Sequence, residues 1–141
     1  VTKDAHLGVD ILFSEDGDLV VNQSGDLALA TGRACLVQDI RDRFGTLHGD
    51  LYAHSDWGSK AIRLLGASDT PLNRALSVRY LREALESEPR IESESITITP
   101  LTFTSEEKRF EIRFTPVGTA APEFLVWGFG VTDVSAIRHA Q

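Results

Sequence analysis

The chain has 141 residues, 42% hydrophobic and 25% charged, with a formal net charge of −7 and an isoelectric point near 5.0. That size and balance read as one globular domain, expected over residues 1–131 with a short tail at 132–141, able to bury a core without staples. The acidity argues against nucleic acid as a ligand, no apolar run approaches the ~20 residues of a membrane span, and the first residues lack the pattern of a signal peptide.

Turns and short strands come first. Asp16-Gly17-Asp18 is a turn signal before a strand at Asp18 to Val21, and Asn22-Gln23-Ser24-Gly25 leads into a second strand at Asp26 to Ala30, an N-terminal hairpin. Asp16, Asp18, Asn22 and Asp26 cluster here, yet their spacing is not that of an EF-hand loop and no Glu stands at its twelfth position. They are read as turn chemistry, with no metal.

A first helix is predicted from Arg33 to Phe44, with Thr31 as cap and Gly45 as stop. Leu36, Val37, Ile40 and Phe44 recur at three- and four-residue spacing and form one apolar stripe. Arg33, Asp39, Arg41, Asp42 and Arg43 fill the remaining arc as a solvated face. Cys35, the only cysteine, excludes an internal disulfide and fits a reducing cytoplasm. With no His beside it, it reads as a small core residue and not as a nucleophile. A second helix is predicted from Asp56, its cap, to Leu65, burying Trp57, Ala61, Ile62 and Leu65 and stopping at Gly66.

Asp69-Thr70-Pro71 opens the third helix, a capping side chain before proline at the first helical position. Leu76, Val78, Tyr80, Leu81, Ala84 and Leu85 cover an arc wide enough for burial against more than one neighbour, which makes this the central helix. Pro89 pushes Glu88 toward extended geometry, so the helix stops at or just before Ser87. Glu86 and Glu88 then stand at the negative end of the helix dipole, where anions are disfavoured. Arg90 brings a planar fork suited to bidentate pairing with a carboxylate, at home or on a partner. The alternative is an ordinary helix end with solvated charges.

After Arg90 the period becomes two. Ile96 and Ile98 alternate with Thr97 and Thr99, Leu101 and Phe103 follow one step out of phase, and Pro100 implies a bulge or an edge. Ser105 to Lys108 makes the turn, and Phe110, Ile112 and Phe114 mark the returning strand. The last strand, Phe124 to Val131, is apolar on both faces, so it is either buried in the sheet or waiting for a partner chain. The expected fold is α+β: three helices packed against one mainly antiparallel sheet, with the N-terminal hairpin.

Gln38, Arg43-Phe44-Gly45-Thr46-Leu47-His48-Gly49-Asp50, Asp56-Trp57-Gly58-Ser59, Leu64-Leu65 and Glu88-Pro89-Arg90-Ile91 follow one another in a telling order. At that spacing the chain resembles the baseplate wedge proteins of contractile phage tails. This is the gene-25-like, or sheath-initiator, family, with relatives in tailocins and type VI secretion baseplates and an old lysozyme-like label. Matching positions span roughly Gly25 to Ile91. Gly49-Asp50 stands where Gly-Glu is more usual, and Trp57 where Tyr or Phe is common.

The resemblance implies a structural, non-enzymatic protein of a phage tail or tailocin, present in multiple copies in the virion's tail baseplate and made in the bacterial host cytoplasm. Its implied partners are the wedge core-bundle proteins, meeting Glu88, Pro89 and Arg90, and the tail sheath protein. The sheath would be templated on the sheet from Ile96 to Val131, with Phe124, Val126, Trp127, Phe129 and Val131 on the template strand. Strand addition to an exposed edge is an established recognition mode. A type VI secretion baseplate component would share fold and motif, and a regulatory anti-adaptor on the same fold is a further alternative.

Catalytic chemistry finds no support in the residues. His6, His48, His54 and His139 lack partners at zinc-like intervals, no glycine-rich phosphate loop follows a strand, and no serine stands in a nucleophile elbow. No cofactor is expected. Glycoside hydrolysis needs two carboxyls across a cleft, one with a raised pKa. Of the candidates Glu83, Glu86, Glu88 and Asp50, the first two lie on a solvated arc, and Arg90 should lower the pKa of Glu88. Peptidoglycan-hydrolase activity is the disfavoured alternative.

Overall fold

A computed structural model of the protein describes residues 4–130 and the short strand Arg138–His139. Strand β1 (Val9–Ile11) pairs antiparallel with β2 (Leu29–Thr31), setting Val9 against Thr31 and Ile11 against Leu29. Between them the chain doubles back twice, and bridges at Phe13–Leu19 and Val21–Leu27 extend the pairing into a small closed meander, in which each of the three segments pairs with both of the others. Helix α1 (Arg33–Gly45) follows directly. Thr31 stays in β2, so the predicted cap does not form; Gly32, at φ 60, enters the helix without a side-chain cap.

Helix α2 (Pro71–Glu86) starts as its sequence implies. Thr70 Oγ1 accepts from Asn73 N at 3.1 Å, and Pro71 occupies the first turn, where its missing donor costs nothing. The main sheet runs in the order β3 (Thr97–Phe103), β4 (Glu107–Phe114), β5 (Glu123–Gly130), β6 (Arg138–His139), antiparallel throughout. Its register shifts between Pro100 and Thr102, and β3 is an edge strand of the sheet, so the sequence alternatives of a bulge and an edge at Pro100 both occur.

Three helices against one sheet is therefore a picture that needs correcting. Among the described residues there are two α-helices and two separate sheets, still α+β, and the N-terminal strands form their own sheet. The expected second helix, Asp56 to Leu65, contains only the 3-10 turn Ala61–Leu64. Its backbone is engaged elsewhere. Ser59 N donates to Thr46 O at 2.9 Å and Ser59 O accepts from His48 N at 3.1 Å, a parallel bridge of Leu47 with Ser59. Gly58, at φ 108, permits the approach: a Cβ there would stand 2.6 Å from Thr46 O. Groups bonded across this clip are not available to close helical turns.

The core lies between the two helices and one face of the main sheet. Leu36, Ile40 and Phe44 of α1 and Leu81, Ala84 and Leu85 of α2 meet Ile98, Phe110, Ile112, Leu125, Trp127 and Phe129 from the strands. The Trp127 ring is 5.1 Å from Phe44 and 5.0 Å from Phe129, centroid to centroid; such pairs add roughly 0.5–1.5 kcal/mol beyond area burial. Lys108 interrupts this apolar face of β4. It is fully buried, donates from Nζ to Ala67 O at 3.0 Å and Thr104 O at 2.7 Å, and lies 4.7 Å over the Phe103 ring. Burial pushes its pKa down against the pull of Asp69.

Candidate docking site at the exit of the second helix

Ser87 caps α2, Glu88 N still reaches Leu85 O at 3.0 Å, and Ile91 N reaches Glu88 O at 3.2 Å. The result is a tight turn with Pro89 exposed at its tip, Arg90 half-buried, and Glu88 carried inward to 4% exposure. A carboxylate buried this far must have its lone pairs filled. Arg90 fills them as a fork, from Nε to Oε1 at 2.7 Å and from Nη2 to Oε2 at 3.0 Å, and its backbone N donates to Oε1 at 3.1 Å. The bidentate pairing anticipated from the sequence is made at home.

Two more groups complete the cluster. Arg43 donates from Nη2 to Glu88 Oε2 at 3.2 Å and from Nη1 to Ser87 Oγ at 2.7 Å. Arg90 extends to Asp39 Oδ2 and to Leu7 O, both at 2.7 Å. One guanidinium thus ties α1, the exit of α2 and the segment before β1. Gly8 beside it, at φ 104, holds a backbone conformation that residues with a Cβ rarely adopt.

Helical spacing places Arg43 on a solvated arc, and the structure places it in the interior instead. Its side chain is buried, with the guanidinium 5.2 Å from the Trp57 ring and Nε without a partner among the described residues. A charge tolerates such a place only beside an opposite charge and an aromatic face. Asp39, from the same arc, is drawn into the cluster by Arg90.

The electrostatics favour ions throughout. Burial opposes the charge on Glu88, but the hydrogen bonds and charge of Arg90, joined by Arg43, outweigh it and hold the carboxyl below its ordinary range. The bond to Glu88 raises Arg90, while burial lowers Arg43 against the pull of Glu88. Cys35 Sγ lies 3.9 Å from Asp39 Oδ2; burial, with the Asp39 charge, pushes the thiol up, the opposite of what a nucleophile needs.

The remaining carboxyls considered for acid catalysis, Glu83, Glu86 and Asp50, are exposed, and Glu83 pairs with Arg79 at 2.8 Å. Desolvation raises Asp42 against the pull of Arg41, with Asp39 and Asp10 adding to the rise; it lies on the exposed side of α1.

On β5, Trp127 and Phe129 point into the core, whereas Phe124 and Val126 are half-buried on the outer face, where Arg113 lies 5.0 Å over the Phe124 ring. β4 pairs along the whole of β5, and β6 covers its other edge at Leu125 and Val126. Val131, and all of the expected tail except Arg138–His139, lie outside the described residues.

The sequence marks Gln38 as part of the ordered motif but gives it no contact. It is buried on α1, accepts from Phe13 N at 3.0 Å and donates to Ile11 O at 2.8 Å, holding the meander to the helix. A long amide beside an apolar stripe is the signal that could have marked it.

A family model described as contractile injection system sheath initiator matches residues 9–119, a stretch that contains Gln38, Asp39, Arg43, Glu88 and Arg90. No curated protein sequence matches. Among solved structures the chain is similar to a protein of Geobacter sulfurreducens described provisionally as a tail lysozyme. The TM-score is 0.57 at 20% identity, covering 70% of this chain and 89% of that one. At that identity the likeness speaks to the fold. The match across most of its length makes the chain a member of the sheath-initiator family of contractile injection systems.

Proposed function

We propose that the protein is a structural baseplate component that docks on the wedge core bundle through the exit of α2 and templates the first ring of tail sheath on its main sheet. The observation that carries the docking half is the Glu88–Arg90 fork. It is satisfied inside the chain, so it fixes the turn and leaves Pro89 at the surface. A partner then meets a shape that is already ordered, and little side-chain freedom is lost on binding. Glu88 acts from beneath, while Pro89 and the accessible part of Arg90 make the contact. On the sheet, Phe124 and Val126 offer apolar side chains outward, and Trp127 and Phe129 fix the strand from the core side. Catalysis has no place in this reading, since Glu88 is held ionised by Arg90.

Two substitutions separate the two contacts. Pro89→Arg leaves the internal ion pairs in place, so the protein should melt close to the parent yet be absent from purified tails by mass spectrometry. Normal incorporation would remove the wedge contact. Val126→Arg should enter baseplates but stop sheath assembly, and full-length sheath on such baseplates would remove the template. Clearing of purified sacculi by the parent protein would overturn the non-enzymatic reading.

A further inference from the structure

The N-terminal meander has two faces, and the wrong one is apolar. Residues directly opposite in an antiparallel pair share a face, as do alternate residues along a strand. The pairs Ile11–Leu29, Phe13–Leu19 and Val21–Leu27 therefore place these six side chains, with Val9, on one side of the meander. That side faces outward: Val9 is 61% exposed, Leu19 56%, Val21 60% and Leu29 58%. The opposite side, with Leu12, Val20, Ala28 and Ala30, is the less exposed one. Single exposed apolar residues are ordinary on a protein surface, but a contiguous, register-matched set marks an interaction site.

The meander is also well held. Gln38 bonds Phe13 N and Ile11 O from α1, and Leu12 N, Val20 N and Ala28 N donate to Ala28 O, Leu12 O and Val20 O in turn. Its turns are closed by Asp18 N to Ser14 Oγ at 3.1 Å and by Ser24 N and Asp26 N to Asn22 Oδ1 at 2.9 and 3.1 Å.

Charge selects the occupant. From Val9 to Thr31 the chain carries Asp10, Glu15, Asp16, Asp18 and Asp26 and no Lys or Arg; Asp10, Asp18 and Asp26 alternate onto the other side of this small sheet, and Arg41 of α1, bonded to Ser14 O and Glu15 O, leaves the meander acidic on balance. A second copy would bring like charge against like, and an anionic lipid surface or a nucleic acid would be repelled in the same way. We infer that the outward face of the meander is a docking surface for another protein that presents an apolar patch rimmed by lysine and arginine. The inference uses neither the α2 exit nor β5, so it stands or falls apart from the contacts proposed above.

The test places a benzophenone side chain at Leu19 or at Val21 of the full chain in assembled particles, with Tyr52, fully exposed and remote in sequence, as control. Adducts from positions 19 and 21 should map to a different protein, on apolar peptides flanked by Lys or Arg. The double substitution Asp16→Lys, Asp18→Lys should reduce their yield about tenfold through lost charge complementarity. Adducts to this chain itself, to a second copy or to lipid would overturn the inference, as would peptides without basic flanks or a yield no higher than from Tyr52. A readout free of assembly is sedimentation velocity of the purified chain. It should run as a monomer near neutral pH, and a dimer dispersed by Leu19→Asp with Val21→Asp would overturn the inference in favour of self-association.

Discussion

Glu88 and Arg43 are the residues on which the site turns, because each is a buried charge paired directly with the other. Removing one partner strands charge inside, so Glu88→Gln should destabilise the fold by roughly 3 kcal/mol, measured by urea unfolding near neutral pH. The pH dependence has a fixed sign. The folded-state pKa of Glu88 lies below its unfolded value of about 4.5, so in that interval the unfolded chain binds more protons and stability rises with pH. The contribution is complete above the unfolded pKa and is lost as pH falls through the folded one. Glu88→Gln should flatten this acid limb, and an unchanged slope in urea titrations between about pH 3 and 6 would show that Glu88 is not the linked group.

At the scale of elements, two tethers replace what regular structure does not supply. Gly58 lets the 56–59 segment lie against residues 46–48. Gly58→Ala combines a positive φ with a Cβ at 2.6 Å from a backbone oxygen, so it should cost more than about 1 kcal/mol. Hydrogen exchange should show the amides of His48 and Ser59 opening together. Lys108 joins β4 to Ala67, ahead of α2, and to Thr104. Lys108→Met leaves both carbonyls without this donor, at a cost of roughly 1–3 kcal/mol. Burial holds the folded pKa of Lys108 below 10.5, so the unfolded chain carries more protons in the interval between and stability rises with pH across it. The methionine variant should lose that alkaline rise in thermal melts.

The whole molecule balances an exposed apolar meander against a net charge of −7. Charge of one sign keeps such surfaces apart, and the protection fades as pH approaches the isoelectric point near 5.0. Light scattering should therefore rise between pH 7 and 5, and Leu19→Ser with Val21→Ser should suppress much of the rise. Equal aggregation of parent and variant would place the sticky surface elsewhere.

What the sequence determined by itself was whatever follows from near neighbours. Thr70 and Pro71 start α2, Pro89 ends it, Pro100 marks β3 as a strand with an edge position and a bulge, and alternation assigns Phe110, Ile112 and Phe114 to the inward face of β4. The ordered motif from Gln38 to Ile91 likewise led to the family that the match over residues 9–119 supports. Tertiary structure alone decided where charges reside. Arg43 and Glu88 stand 45 positions apart, and Leu7 and Arg90 stand 83. Helical spacing alone makes Arg43 and Asp39 surface residues, and only a partner brought in from another element makes their burial tolerable. The expected second helix failed for the same kind of reason. Its local signals were adequate, but Ser59 is engaged by hydrogen bonds to Thr46 and His48 and is not available to close a helical turn.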